Sequence, residues 1–125
     1  MKRNGQHDER FGDTAAYMAA LRRVLDGATP KQLEMLLEHY RSPEHTNSWE
    51  GLAQRVGYRN RNPVQLQYGK FAERLASELG VSEKPEGFWL YVLAKWADEK
   101  DDIGHTRFTM RRPLVESIRA LRLQA

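Results

Sequence analysis

The chain has no cysteine. That removes any disulfide framework and any thiolate acting as nucleophile or metal ligand, and it fits a reducing compartment. No apolar stretch approaches the ~20 residues a membrane span needs, and the opening MKRNGQHDERFGD has no signal-peptide core. A soluble, cytoplasmic protein with no membrane partner is expected. Three chemical motifs are missing as well: a glycine-rich phosphate loop followed by Lys-Ser/Thr, a His-Glu-x-x-His helix and a Gly-x-Ser-x-Gly elbow. The expectation is a protein that is not an enzyme, with no catalytic residue and no cofactor.

Nor do the metal-binding residue types fall at useful spacings. His39 and His45, beside Glu38 and Glu44, straddle the break at Pro43, so both histidines are expected to be solvated or capping groups. Asp98, Glu99, Asp101 and Asp102 do not follow the spacing of a calcium loop and read as a solvated acidic turn. No metal site is expected.

What is present suits one folded unit. A chain of 125 residues, 40% hydrophobic and 30% charged, can bury a core without staples. The formal charge of +3 is too small to indicate nucleic acid by itself, but it is unevenly placed. Residues 55–74 carry five bases and one acid, residues 105–125 carry five and one again, and residues 80–104 carry three bases and six acids. Two concentrated basic blocks are the footprint of phosphate contacts.

The first block lies within residues 46–79, where two helix patterns flank a corner of alternating arginine and asparagine. The shorter opens at Asn47, a capping residue answered by Glu50 in a capping box, and stops at Gly57. The longer opens at Asn62 with Pro63 in its first turn and Gln65 completing a second box, and ends before Gly80. On its wheel Val64, Tyr68, Phe71, Ala72, Leu75 and Leu79 face inward, and Gln67, Lys70, Arg74 and Ser77 face outward. Leu66 is a misfit, projecting into the polar side.

Elsewhere the chain gives helices, a hairpin and a closing helix. Residues 1–12 read as a mobile segment ahead of a single domain at 13–125. Asp13 or Thr14 caps a helix to about Asp26 with Tyr17, Leu21, Val24 and Leu25 inward. Thr29-Pro30-Lys31-Gln32 starts another, with Leu33, Leu36, Leu37 and Tyr40 inward. Residues 88–97 are a mixed aromatic and aliphatic run that favours a strand, although Leu93 onward could be helical. Residues 105–111 alternate like a half-buried strand, so a hairpin at 88–111 is expected, followed by a helix at 113–123. The fold class is mainly α with a small β-hairpin, a helix-turn-helix at 47–79 in a winged-helix-like arrangement.

The segment LAQRVGYRNRNPVQLQYGKFAERLASELG resembles small accessory modules of bacterial proteins that also carry HNH-type restriction endonuclease domains. Val56-Gly57-Tyr58, then Asn60 and Asn62, then Leu66-Gln67-Tyr68-Gly69-Lys70 carry the likeness, and the Phe108-Thr109-Met110-Arg111-Arg112-Pro113 end has one extra residue between Met and Pro. The likeness spans about three quarters of the chain. It implies a DNA-associated restriction, defence or mobile-element setting; the His-Asn-His nuclease constellation is missing, so cleavage is not implied.

The expected function is nucleic-acid binding, with double-stranded DNA as the partner. Arg59, Asn60, Arg61, Asn62 and Gln65 would meet base edges or neighbouring phosphates, and Lys70, Arg74 and Arg107 would hold the backbone. RNA stays open as a ligand. The alternative is a protein-binding adaptor or inhibitor of phage or mobile-element origin whose basic face meets an acidic protein. A homodimer through the last helix is a further option.

Overall fold

Asp13, with extended backbone, accepts the free amide of Ala16 on its carboxylate at 3.0 Å, and the first helix follows. Such a cap contributes about 1 kcal/mol. In the computed structural model, which describes residues 9–97 and 104–123, this helix is α1 (Thr14–Leu25). Helix α2 (Pro30–Arg41) opens with the complete capping box expected: Thr29 Oγ1 accepts the Gln32 amide and Gln32 Oε1 accepts the Thr29 amide, both at 3.0 Å. A short turn leads to β1 (Thr46–Ser48), then α3 (Trp49–Arg55) and the long α4 (Asn62–Glu78). Two 3-10 turns, β2 (Ala94–Trp96), β3 (Arg107–Met110) and α5 (Arg112–Ala120) complete the order.

The architecture is mainly helical with a small antiparallel sheet, in which β3 lies between β1 and β2. Thr46, Asn47 and Ser48 stand opposite Thr109, Phe108 and Arg107, while Ala94, Lys95 and Trp96 stand opposite Met110, Thr109 and Phe108. Phe108 and Met110 point into the core, so Thr109 and Arg107 belong to the outer face with Lys95 and Thr46. No helix of the described residues is long and apolar enough to cross a membrane.

One contiguous core joins every layer. Tyr17 and Leu21 of α1, Met35 and Leu36 of α2, Leu52 of α3, Tyr68, Phe71 and Leu75 of α4, Phe108 of β3 and Leu114 and Ile118 of α5 are all fully buried. Truncating one of the aromatic members to alanine would cost about 3–5 kcal/mol. The apolar stripe of α5 is used against α1, its strongest neighbour, and Ser117 of α5 reaches the Thr14 carbonyl there.

Several expectations are corrected. Asn47 does not cap α3; it lies in β1, where its Oδ1 takes the Ser48 amide and its Nδ2 donates to Ser42 Oγ. Ser48 caps instead, accepting the Gly51 amide at 2.9 Å, because pairing with β3 holds the backbone extended one residue further. The run at 88–97 is not one strand. Residues 89–92 form a 3-10 turn packed on α4, and only residues 94–96 pair with β3. Helix α2 is rotated from the expected face and buries Gln32, Met35, Leu36 and His39, leaving Leu33, Leu37 and Tyr40 half-buried. Residues 9–12 are engaged: Phe11 packs on the core under the guanidinium of Arg111, and Arg10 pairs with Glu86 at 2.9 Å. The expected mobility of residues 1–8 and the acidic turn at residues 98–103 lie outside the described residues.

His39 is fully buried rather than solvated. Its Nε2 is 3.2 Å from the Phe108 carbonyl and its Nδ1 is 2.8 Å from the Tyr68 hydroxyl. A carbonyl only accepts, so Nε2 carries the proton and Nδ1 accepts from Tyr68. Burial holds the imidazole down at about 4, against an ordinary 6.5, with the Phe108 carbonyl acting weakly the other way.

Candidate nucleic-acid interface

The corner between α3 and α4 is built by a left-handed glycine. Gly57 turns the chain at φ 85°, and the Tyr58 amide reaches back to the Ala53 carbonyl at 2.9 Å. Tyr58 is held half-buried beneath the ammonium group of Lys31, which also donates to the Val56 carbonyl at 2.6 Å. The next four residues, Arg59, Asn60, Arg61 and Asn62, are all exposed.

Local bonding closes this corner differently from the expected capping box. Asn60, not Asn62, supplies the side chain: its Oδ1 accepts the Asn62 amide at 2.9 Å. The Gln65 amide bonds to the Arg61 carbonyl at 2.8 Å as in any first helical turn, and the Gln65 side chain is half-buried. Arg59, Asn60 and Arg61 line one shallow hollow of about 210 Å³ with Glu50 and Tyr58.

Carboxylates reach into the basic block. Arg61 Nη1 lies 3.0 Å from Glu50 Oε2, and the other oxygen of Glu50 is 3.7 Å from His105 Nδ1. Arg55 and Arg41 share Glu38 at 3.0 and 3.2 Å. Arg59 and Lys70 have no ion pair among the described residues. These surface pairs contribute about 0–1 kcal/mol each to stability, but they lower the net positive charge a phosphate would meet.

The outward strip of α4 runs Asn62, Leu66, Lys70, Glu73 and Ser77, all exposed, with Leu66 showing 56% of its surface. Gly69 sits on the same side, and a Cβ built there would meet nothing within 4 Å. A glycine inside a helix costs about 0.5–1 kcal/mol relative to alanine, and no packing within the chain requires it.

One expected site residue lies elsewhere, and another stands on the sheet. Arg74 is turned toward α1, where its Nη2 donates to the Val24 carbonyl at 3.2 Å and fills the space beside Gly27. Its role is to satisfy the carbonyl end of that helix. Arg107 is half-buried on the outer face of the sheet, opposite Ser48. The structure therefore gathers Arg59, Asn60, Arg61 and Asn62 at one corner, with Gln65 and Lys70 following on α4, and turns Arg74 away from them toward α1, while Arg107 stands on β3.

Reasoning from the sequence missed the cleft beside this corner. Trp49, Glu50, Arg61, Trp96, Gly104 and His105 surround a space of about 510 Å³ between the start of α3 and the hairpin. Only the order of the strands brings Trp49 and Trp96 to one cleft, so no local signal could have found it.

Comparison with protein-family models, with curated proteins and with solved structures finds no match. Geometry alone carries the functional argument. Among the described residues no group of three or more His, Asp or Glu side chains is placed to hold a metal ion.

Proposed function

We propose that this protein is a nucleic-acid-binding module of winged-helix type that sets the start of α4 into the major groove of double-stranded DNA. The observation that carries the reading is the order α2, β1, α3, α4, β2, β3 with β3 central, together with an exposed Arg-Asn corner at the start of α4. In a helix-turn-helix the second helix offers its N-terminal residues to base edges. Arg59 and Asn62 are the exposed groups placed to do so, Asn60 keeps its side-chain NH2 while its Oδ1 holds the Asn62 amide, and Lys70 follows two turns along for a phosphate.

Hairpin and helix lie side by side in support of this reading, joined through the Arg61–Glu50–His105 chain of contacts. A duplex entering along α4 would meet both. The restriction, defence or mobile-element setting rests on the resemblance of residues 52–80 and 108–113 alone.

Fluorescence anisotropy on a random-sequence duplex at low and moderate salt tests the proposal. Binding that weakens steeply with salt is expected, and loss of Arg59 should cost roughly 1–3 kcal/mol at a cognate base pair. No binding at either salt concentration overturns it.

A second reading, a protein-binding adaptor, draws on the exposure of Leu66 beside the open Gly69 and on the neutralisation of Arg61 by Glu50. An apolar, charge-balanced strip suits a protein surface better than a phosphate chain. A complex that withstands nuclease treatment and moderate salt, and that Leu66→Ala abolishes, would favour it.

A further inference from the structure

We propose that the cleft between the start of α3 and the sheet holds one unpaired guanine base of a nucleic-acid strand, stacked on the Trp96 indole. Trp49, Glu50, Arg61, Trp96 and His105 line this space of about 510 Å³. The inference rests on the nucleic-acid reading for the strand that supplies the base, and it adds a single-base site beside the duplex.

The indole is the first argument. Trp96 stands opposite Phe108 in the register of β2 and β3, on the core side of the sheet, yet 38% of its surface is exposed because β2 is an edge strand. Phe88, Tyr91 and Phe108 meet it at 84°, 68° and 69°, so none of these rings lies parallel to it in the way a base stacks. Trp49 flanks the same cleft, half-buried and tilted on Phe108 at 4.9 Å. Both indoles are backed by that one fully buried ring, which fixes the walls before a ligand arrives. Stacking on a fixed aromatic wall is how proteins hold unpaired bases.

The polar pair is the second. Arg61 Nη1 lies 3.0 Å from Glu50 Oε2, so the cleft presents N–H donors and carboxylate acceptors side by side, with the two charges offset. Glu50 Oε1 stands 3.7 Å from His105 Nδ1, beyond hydrogen-bond reach, and accepts no hydrogen bond from the described residues. An ion gains little from a matched pair, whereas a neutral ring with donors and acceptors on one edge uses both halves.

Guanine alone among the bases sets two donors, N1–H and the N2 amino group, beside an acceptor, O6. The donors suit the Glu50 carboxylate and O6 suits Arg61. Base pairing uses that same edge, so the guanine must be unpaired. Adenine and cytosine would turn a ring-nitrogen acceptor toward the carboxylate. Glu50 and Arg61 also line the hollow at the Arg-Asn corner, so the cleft adjoins the helix end offered to the duplex.

Fluorescence anisotropy of the full chain with three duplexes tests this: one blunt, one with a single 3′ guanine overhang and one with a single 3′ adenine overhang. The guanine overhang should bind roughly tenfold tighter than the blunt duplex, the size of one stacked base, and tighter than the adenine overhang. Trp96→Leu keeps apolar bulk without a π face; it should erase that gain and leave blunt-duplex affinity at the native value, and Trp96→Phe should restore part of the gain. Glu50→Gln should lose the preference for guanine over adenine even as duplex binding as a whole rises. Overhangs that bind no tighter than the blunt duplex, adenine equal to guanine, or a gain that survives Trp96→Leu overturns the proposal and leaves the duplex reading in place. Should no duplex bind, that reading falls, and a guanosine titration followed by NMR at the Trp49 indole N–H decides the cleft by itself. Saturable shifts that vanish in Trp96→Leu uphold it, and no saturation overturns it.

Discussion

The Tyr68 hydroxyl of α4 lies 2.8 Å from Nδ1 of His39 on α2, with both side chains fully buried. The same imidazole bonds to the Phe108 carbonyl, so one histidine joins the helical core to the central strand. Since the helices and the sheet share this group, its protonation bears on the whole fold.

Acid should destabilise the protein through His39. Its pKa is about 4 in the folded chain and 6.5 as an ordinary value. Between those values the unfolded chain binds a proton that the folded chain refuses, so stability is complete above about pH 6.5 and falls as pH drops toward 4. The loss is about 3 kcal/mol at 1.36 kcal/mol per unit. Urea denaturation at pH 7 and pH 4 should show it for the native chain and a shallower pH dependence for His39→Leu. An NMR titration in which the buried imidazole protonates near pH 6.5 would refute the assignment.

Gly69→Ala should stabilise α4 by about 0.5–1 kcal/mol, because the added methyl meets nothing within 4 Å and removes the entropic cost of glycine. Thermal unfolding would read this as a rise of a few degrees. If the variant also weakens binding to a partner, the glycine serves close approach at that strip; a fall in stability would show that the helix surface is not open there.

Glu50→Gln should strengthen duplex binding. It removes a carboxylate from the α3–α4 corner and frees the Arg61 guanidinium now 3.0 Å from it. One like charge fewer and one phosphate contact more correspond to roughly three- to tenfold in affinity at low salt. Unchanged or weaker binding by anisotropy would place the duplex elsewhere.

Arg74→Ala should separate folding from binding. Losing its bond to the Val24 carbonyl costs about 1 kcal/mol of stability, while duplex affinity stays at the native value. Arg59→Ala should show the reverse pattern. A joint loss of affinity in Arg74→Ala, measured where the variant remains folded, would return that arginine to the interface.

Much of the helical layout was legible because its signals are local. The Thr29–Gln32 box, the Asp13 cap, the glycine ends at Gly57 and Gly80 and the inward stripe of Tyr68, Phe71 and Leu75 each depend on residues within a turn or two. Strand β1 was illegible, since three polar residues before a helix look like a cap until β3 comes to pair with them. Residues 88–97 misled for a related reason: a buried apolar run has no period, and packing on α4 shortened the strand to residues 94–96.

For the candidate site, the sequence by itself determined that Arg59, Asn60 and Asn62 would be exposed at a corner, because a left-handed glycine and a proline-initiated helix bound four polar residues there. Only tertiary structure decided which cations stay available. Arg61 met Glu50 and Arg74 met the end of α1, while Arg59 and Lys70 have no ion pair among the described residues. Charge along a chain is a property of the residues, but the potential a ligand meets is a sum over distances in space, and those distances are set by which helix packs on which.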